Sequence, residues 1–131
     1  MNTGTFPQIC LNFELTKSHQ NFYMDWFKIA DEAELERRLP DVNALSSFDL
    51  GESSICVARL EDGYYAVADM CPHASGSLSE GEIDSRENIV CPVHLYKFSL
   101  RTGINTSGED YFLKKYPLKL MEDGYYIGIE K

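Results

Sequence analysis

The sequence predicts an all-β protein, an antiparallel sandwich or barrel, and two observations carry this prediction. Short β-rich segments recur about every ten residues with little helix between them. Two Asp-Gly pairs, Asp62-Gly63 and Asp123-Gly124, lie between such segments, where a type I′ hairpin turn needs a positive φ that glycine adopts without steric cost. Many short strands joined by hairpins form antiparallel rather than parallel sheets.

The individual elements follow from local patterns along the chain. Apolar residues alternate with polar ones over residues 8–16, as on a half-buried strand, and a second strand is predicted at 22–30. The acidic run that starts at Asp31 predicts a short helix that ends before Pro40. Pro117 cannot donate to a ladder and is expected near an edge or a bulge. The remaining strands are predicted at 43–50, 54–60, 64–69, 89–91, 96–100, 111–118 and 125–130.

Length and charge limit the classes of partner. The chain has 131 residues, 12 Lys and Arg against 21 Asp and Glu, and a formal net charge of −9, which fits one domain. An acidic surface repels phosphate, so neither nucleic acid nor an anionic membrane is expected as the main partner. A partner with a basic docking patch fits better. Without a recognisable membrane span or secretory signal, the protein is expected in the cytoplasm.

The candidate ligands are cysteines and histidines that occur in pairs. Cys71-x-His73 is followed by Cys91-x-x-His94, and the segment between them contains a long irregular loop of the kind that carries function. A chain with this many core residues does not need disulfides, which favours metal ligation. Thiolates with imidazoles permit zinc or a [2Fe–2S] centre. Neither half has the Cys-x₂₋₄-Cys or His-x₃₋₅-His knuckle of structural zinc sites.

These motifs resemble those of the Rieske-type [2Fe–2S] ferredoxin family, which combines Cys-x-His with a later Cys-x-x-His. Residues 71–81 are similar to the first loop of that family and residues 91–103 to the second. Residues 26–30 and 113–119 are similar to its opening and closing strands, so that the resemblance covers about residues 25–131. It implies a Rieske-type sandwich or barrel with a small cluster-binding subdomain formed by two loops, within about residues 69–103.

The resemblance also implies a cofactor and its ligands. It implies one [2Fe–2S] cluster, in which Cys71 and Cys91 hold one iron and His73 and His94 hold the other through Nδ1. Both Nε2 atoms would then face solvent and give electrons a short route to a docked partner. The other two cysteines, Cys10 and Cys56, are expected to be structural, since cysteine is often a small buried hydrophobe.

The second loop departs from the high-potential members of the family. Those proteins carry an extra cysteine in each loop, joined by a disulfide, and Gly-Ser-x-Tyr after the last histidine. This chain has neither extra cysteine, and Leu95-Tyr96-Lys97-Phe98 occupies the latter positions. Fewer hydroxyl donors to the sulfurs destabilise the reduced state. A potential at the low end of the Rieske range, roughly −150 mV, is therefore expected.

These observations predict how the chain is divided and what it does. Residues 1–23 are expected to form an extension with an added edge strand, and residues 24–131 the Rieske domain. An edge strand there would leave a site for self-association, which nothing in the sequence requires. Without a nucleotide-binding glycine loop, flavin signature or catalytic nucleophile, an electron carrier with no activity alone is expected, between a reductase and a terminal oxygenase or similar oxidoreductase. The alternatives are the small subunit of an NAD(P)H nitrite reductase, which residues 108–110 also resemble, and a zinc-stabilised interaction module.

Overall fold

A computed structural model describes residues 24–51, 53–73, 76–108 and 111–130 of the chain. The strand predicted at 8–16, the extension 1–23 and Cys10 lie outside the described residues. The elements are, in order, β1 (Met24–Ala30), α1 (Glu32–Arg38), β2 (Leu45–Asp49), β3 (Ser54–Leu60), β4 (Gly63–Ala68), a 3₁₀ helix (Leu78–Glu80), β5 (Glu82–Ile83), β6 (Asn88–Val90), β7 (Lys97–Ser99), β8 (Lys115–Tyr116), β9 (Leu118–Met121) and β10 (Gly124–Glu130).

The described strands form three antiparallel sheets. One has the order β2-β3-β4-β8, the second β9-β10-β1 and the third β5-β6-β7. The all-β fold class is confirmed. No helix among the described residues has the length and apolar character that a membrane span requires.

The four-stranded sheet lies in the middle of the molecule because its central strand is apolar on both faces. Ile55 and Val57 on β3 pack into one core with Phe48 and Ile127. Their neighbours Cys56, Ala58 and Leu60 point to the opposite face and join a second core, as the period of two along a strand requires. Burial raises the pKa of the Cys56 thiol, with the charge of Asp69 as a second cause. The expectation that Cys56 is a buried hydrophobe is confirmed.

The first core joins the four-stranded central sheet to the β9-β10-β1 sheet and to α1. Asp31 caps the N-terminus of α1, and its side chain accepts a hydrogen bond from the Glu34 N–H at 2.8 Å. Its first turn is acidic and its last turn contains Arg37 and Arg38, the charge order that the helix dipole favours. Leu35 is the buried residue of its inner face. The helix predicted between Asp31 and Pro40 is thereby confirmed.

The second core attaches the small three-stranded sheet to the other face of the central sheet. Ile89 on β6 and Phe98 on β7 are fully buried there. Cys71 and Cys91 belong to the same core. The two candidate thiolate ligands are therefore fixed by packing, which is the constraint expected of loops that lack a disulfide.

Both predicted hairpins are present, but their turns differ from the type I′ prediction. Leu60 pairs with Gly63 and Met121 with Gly124, so the loop residues are Glu61-Asp62 and Glu122-Asp123. Among the described residues, positive φ outside glycine occurs only at Asn43, Glu87 and Leu95. Each glycine instead opens the returning strand at a positive φ. At Gly124 a Cβ would lie 2.5 Å from the Ala30 carbonyl oxygen, so glycine is needed there for close approach.

The single strand predicted at 111–118 is wrong, because Pro117 divides it between two sheets. Lys115–Tyr116 pairs with β4, whereas Leu118–Met121 pairs with β10. Pro117 has no N–H to donate but its carbonyl accepts from the Gly128 N–H at 3.0 Å. The proline therefore lies at a change of sheet, in agreement with its expected place at an irregularity.

Candidate metal centre

Two loops carry the four candidate ligands, and both are closed in the same way. The Cys71 N–H donates to the Gly76 carbonyl at 3.0 Å, and the Cys91 N–H donates to the Tyr96 carbonyl at 2.8 Å. Each cysteine thus begins a loop, and the far end of the loop is hydrogen-bonded to the backbone of that cysteine. This pairing holds the two cysteines at the loop bases and places the histidines further out.

The second loop contains a tight turn between β6 and β7. The Leu95 N–H donates to the Cys91 carbonyl at 2.9 Å, and Leu95 has φ of 60°. Glycine adopts this left-handed backbone conformation more easily than any other residue. The turn explains why glycine is common at this position in the resembled family, and why leucine is accommodated only with backbone strain.

Burial separates the two kinds of ligand. Cys71 is 2% exposed and Cys91 is fully buried, whereas His94 is exposed and His73 is half-buried. The imidazole ring centroids of His73 and His94 lie 5.1 Å apart with an angle of 77° between the rings. The structure therefore brings the two predicted histidines together at the outer side of the two buried cysteines.

Two tyrosines surround His73. The Tyr96 ring stacks on His73 with a centroid distance of 3.7 Å and an interplanar angle of 15°. Tyr111 meets the same imidazole edge-on, with centroids 5.3 Å apart. His94 is exposed as a residue and His73 is half-buried, and the expectation that both Nε2 atoms face solvent stays a prediction. The role of Tyr111 had no sequence signal, since it lies far along the chain from His73.

The residues present fit a metal-bound group. The Nδ1 atom of His73 is buried and finds no hydrogen-bond partner in the described part of the chain, which is costly unless a ligand satisfies it. At Gly76 a Cβ would lie 2.4 Å from Val93 Cγ2 and 3.4 Å from Cys91 Sγ. Glycine therefore allows the loops to meet beside a cysteine sulfur. Nitrogen and sulfur donors are the set that iron–sulfur centres of mixed ligation use.

Within the described ranges, no three side chains among His, Cys, Asp and Glu group together as ligands of one metal ion. A binuclear iron centre of mixed ligation needs only two protein ligands for each iron. Two cysteines and two histidines are the number and kind of protein ligands that such a centre uses.

Asp69 is a further residue that organises the first loop. Its carboxylate is 8% exposed and accepts from the Ser77 hydroxyl at 2.7 Å and from the Ser79 N–H at 2.9 Å. Its carbonyl accepts from the Leu78 N–H at 2.7 Å. Asp69 therefore links the start of the loop to its end. Its position two residues before Cys71 gave no sign of this role in the sequence.

Comparisons with known proteins identify the class to which these loops belong. A family model for the Rieske [2Fe-2S] domain matches residues 25–117. The ferredoxin component of the alkene monooxygenase system of Xanthobacter autotrophicus is 31% identical over 83 residues, which cover 63% of this chain and 68% of that protein.

Solved structures show the same fold. The ferredoxin in a complex of reduced oxygenase and oxidised ferredoxin of carbazole 1,9a-dioxygenase has a TM-score of 0.67 and 28% identity, covering 81% of this chain and 94% of that one. An NADH-dependent nitrite reductase small subunit from Mycobacterium tuberculosis has a TM-score of 0.68 over 82% of this chain and 97% of its own. Its 18% identity supports the fold alone.

Proposed function

Because the chain belongs to the Rieske [2Fe–2S] domain family, we propose that Cys71 and Cys91 hold one iron of its cluster and that Nδ1 of His73 and of His94 holds the other. The chain carries one [2Fe–2S] cluster and serves in electron transfer. The observation that carries the ligand assignment is the buried Nδ1 atom of His73, which has no hydrogen-bond partner among the described residues. When bound, the cluster supplies one-electron redox chemistry.

The protein's own residues control how that chemistry is used. The two cysteines lie in a packed core, which fixes the inner side of the site and excludes water from it. His94 is exposed on the outer side and shortens the path to a partner. Phe98 is fully buried where a hydroxyl donor occurs in high-potential relatives, which supports the predicted potential of roughly −150 mV.

We further propose that the protein passes electrons in the cytoplasm between a reductase and a terminal oxygenase. A named relative belongs to a monooxygenase system, and a structural relative was solved with its oxygenase. A cleft of about 270 Å³ beside the second loop is lined in part by Glu80, Glu82, Pro92 and Leu95. Neither glutamate forms an ion pair with a described residue. Their charge favours a partner with a basic surface.

The first test is the metal content and visible spectrum of protein purified without oxygen. We expect two irons and two sulfides per chain and a coloured protein that bleaches on reduction. Serine at Cys71 or Cys91, or alanine at His73 or His94, is expected to abolish the visible bands. Cys56→Ala is the matched control, because Cys56 is an equally buried cysteine outside both loops. One zinc in a colourless, redox-silent protein would overturn the proposal in favour of an interaction module.

The basic partner is tested by the salt dependence of electron transfer. Reduced protein is mixed with ferricytochrome c, a basic redox protein, and the reduction rate is expected to fall as salt increases. Glu80→Gln combined with Glu82→Gln should lower both the rate and its salt dependence. The matched control is Glu32→Gln combined with Glu36→Gln on α1, where both glutamates are exposed. Equal effects of the two pairs would contradict a docking site beside the second loop.

A role as the small subunit of an NAD(P)H nitrite reductase is the second candidate. It rests on the resemblance of residues 108–110 to that group, and the fold shared with the nitrite reductase small subunit is compatible with it. The two candidates use the same cluster and differ in partner. Copurification of the native protein with a large sirohaem-containing subunit would establish the second candidate, whereas copurification with an oxygenase would establish the first.

A further inference from the structure

The two histidines of the candidate metal centre differ in their surroundings. His94 is exposed, and its neighbours in the loop, Val93 and Leu95, are 50% and 66% exposed. His73 is half-buried and lies between two aromatic rings. The site therefore has an open side at His94 and a covered side at His73.

The cover on His73 comes partly from a distant segment. Tyr96 belongs to the second loop itself, whereas Tyr111 lies further along the chain, after β7. Isolated bridges join Ile104 to Phe112 and Phe98 to Asn105, and the Leu113 N–H donates to the Gly103 carbonyl at 2.8 Å. These contacts fold the chain back so that the ring of Tyr111 reaches His73. The adjacent Phe112 is 71% exposed.

We propose that Tyr111 is a cover that blocks access to His73, so that the redox partner docks on the His94 side, over Val93 and Leu95. This inference rests on the proposed ligand assignment. A cluster held by these four residues would supply one electron to an oxidised metal centre of the partner protein, so that the partner's centre would be reduced by one electron and the cluster oxidised by one. A partner that docked on the other side would be separated from His73 by the ring of Tyr111. The path of the electron from the cluster to the partner would then be longer.

The accessibility of each imidazole is tested by acylation with diethyl pyrocarbonate, followed by mass spectrometry of the peptides. With Nδ1 on iron, Nε2 is the nitrogen that can react. Rates are measured in cluster-loaded protein at several pH values, so that unprotonated forms are compared. We expect His94 to react severalfold faster than His73. Tyr111→Ala should raise the rate at His73 severalfold and leave that at His94 unchanged.

Phe112→Ala is the matched control, since it removes a neighbouring and more exposed aromatic ring that does not cover His73. It should leave both acylation rates unchanged. Equal rates for the two histidines in the unsubstituted protein would overturn the inference, as would an increase at His73 caused equally by Phe112→Ala. The comparison within the unsubstituted protein decides the point even if a variant loses its cluster.

The side of docking is tested with ferricytochrome c, a cationic probe. Leu95→Lys adds a positive charge on the His94 side, and Phe112→Lys adds the same charge on the Tyr111 side, at positions of similar exposure. At low salt, Leu95→Lys is expected to slow cytochrome c reduction severalfold and Phe112→Lys to leave it nearly unchanged. A slower reaction of Phe112→Lys than of Leu95→Lys, or equal slowing of the two variants, would overturn the proposal that the partner docks on the His94 side.

A failure of the proposed function and a failure of one-sided access give different results. A protein without two irons and two sulfides would contradict the proposed function itself. A cluster-loaded protein whose histidines react equally, or whose two lysine variants behave alike, would contradict only the one-sided access.

Discussion

Leu95 is a residue whose side chain does not suit the backbone conformation that the second loop requires. It follows the proposed ligand His94 and has φ of 60°, a conformation that costs a residue with a Cβ about 1–2 kcal/mol. Its side chain is 66% exposed, so that little burial offsets this cost. In the sequence Leu95 stood out only as a departure from glycine, and the backbone explains why that departure matters.

Leu95→Gly is expected to stabilise the cluster-loaded protein. Glycine relieves the left-handed strain but is more flexible when unfolded, which leaves a net gain of up to about 1 kcal/mol. That gain corresponds to an increase of about 4 °C in the melting temperature. Leu120→Gly is the opposite control, because Leu120 is an exposed leucine in β9 and glycine weakens a strand. A lower melting temperature for Leu95→Gly would show that the side chain stabilises the loop.

At the scale of elements, alternation predicted the longer strands well because burial on one or both faces imposes a period of two. The 3₁₀ helix at Leu78–Glu80 and the two-residue strand Glu82–Ile83 were missed. Glu82 and Ile83 are a strand only because they pair with Val90 and Ile89, and such partners are not visible locally. The four proposed ligands were found from their spacing, whereas Asp69 and Tyr111 act through contacts between distant segments.

Asp69→Asn is expected to loosen the first loop. The carboxylate accepts from the Ser77 hydroxyl and the Ser79 N–H. Replacing one oxygen by an NH₂ group removes the acceptor of one of these partly buried donors, which costs about 1 kcal/mol. The rate at which visible absorption is lost on warming should therefore increase. Asp49→Asn, at an exposed aspartate at the end of β2, is the control. Equal rates for the two variants would argue against an anchoring role for Asp69.

At the scale of the whole molecule, Arg101 joins the small sheet to the central one. Its guanidinium donates to Glu87 at 2.8 Å, in the turn before β6, and to Asp62 at 3.0 Å, in the hairpin between β3 and β4. It also donates to the Tyr65 hydroxyl at 2.8 Å. Each of these ion pairs is partly exposed. Single exposed pairs contribute little, but a shared guanidinium fixes the relative position of two sheets.

This network gives a pH-dependent signature. Hydrogen bonds from Arg101, then from Tyr65, lower the pKa of the Asp62 carboxyl below its usual value. A lowered pKa in the folded state adds stability above the unfolded pKa, about 3.9, and this contribution is lost as the pH falls through the lower folded value. In Arg101→Gln the pKa of Asp62 should rise toward its usual value, and stability should fall less steeply with acid between pH 5 and 3, roughly the range that brackets the unfolded pKa.

The measurement is the ¹³C chemical shift of the Asp62 carboxyl group during an acid titration of the cluster-loaded protein. Arg86→Gln is the control, since Arg86 is exposed near the same turn and forms no ion pair with a described residue. Its Asp62 should titrate as in the unsubstituted protein. An unchanged pKa of Asp62 in Arg101→Gln would mean that the guanidinium does not hold the hairpin in solution. The small sheet would then be held to the central sheet mainly by its apolar core and by contacts to the backbone such as that of Lys115 with the Arg101 carbonyl.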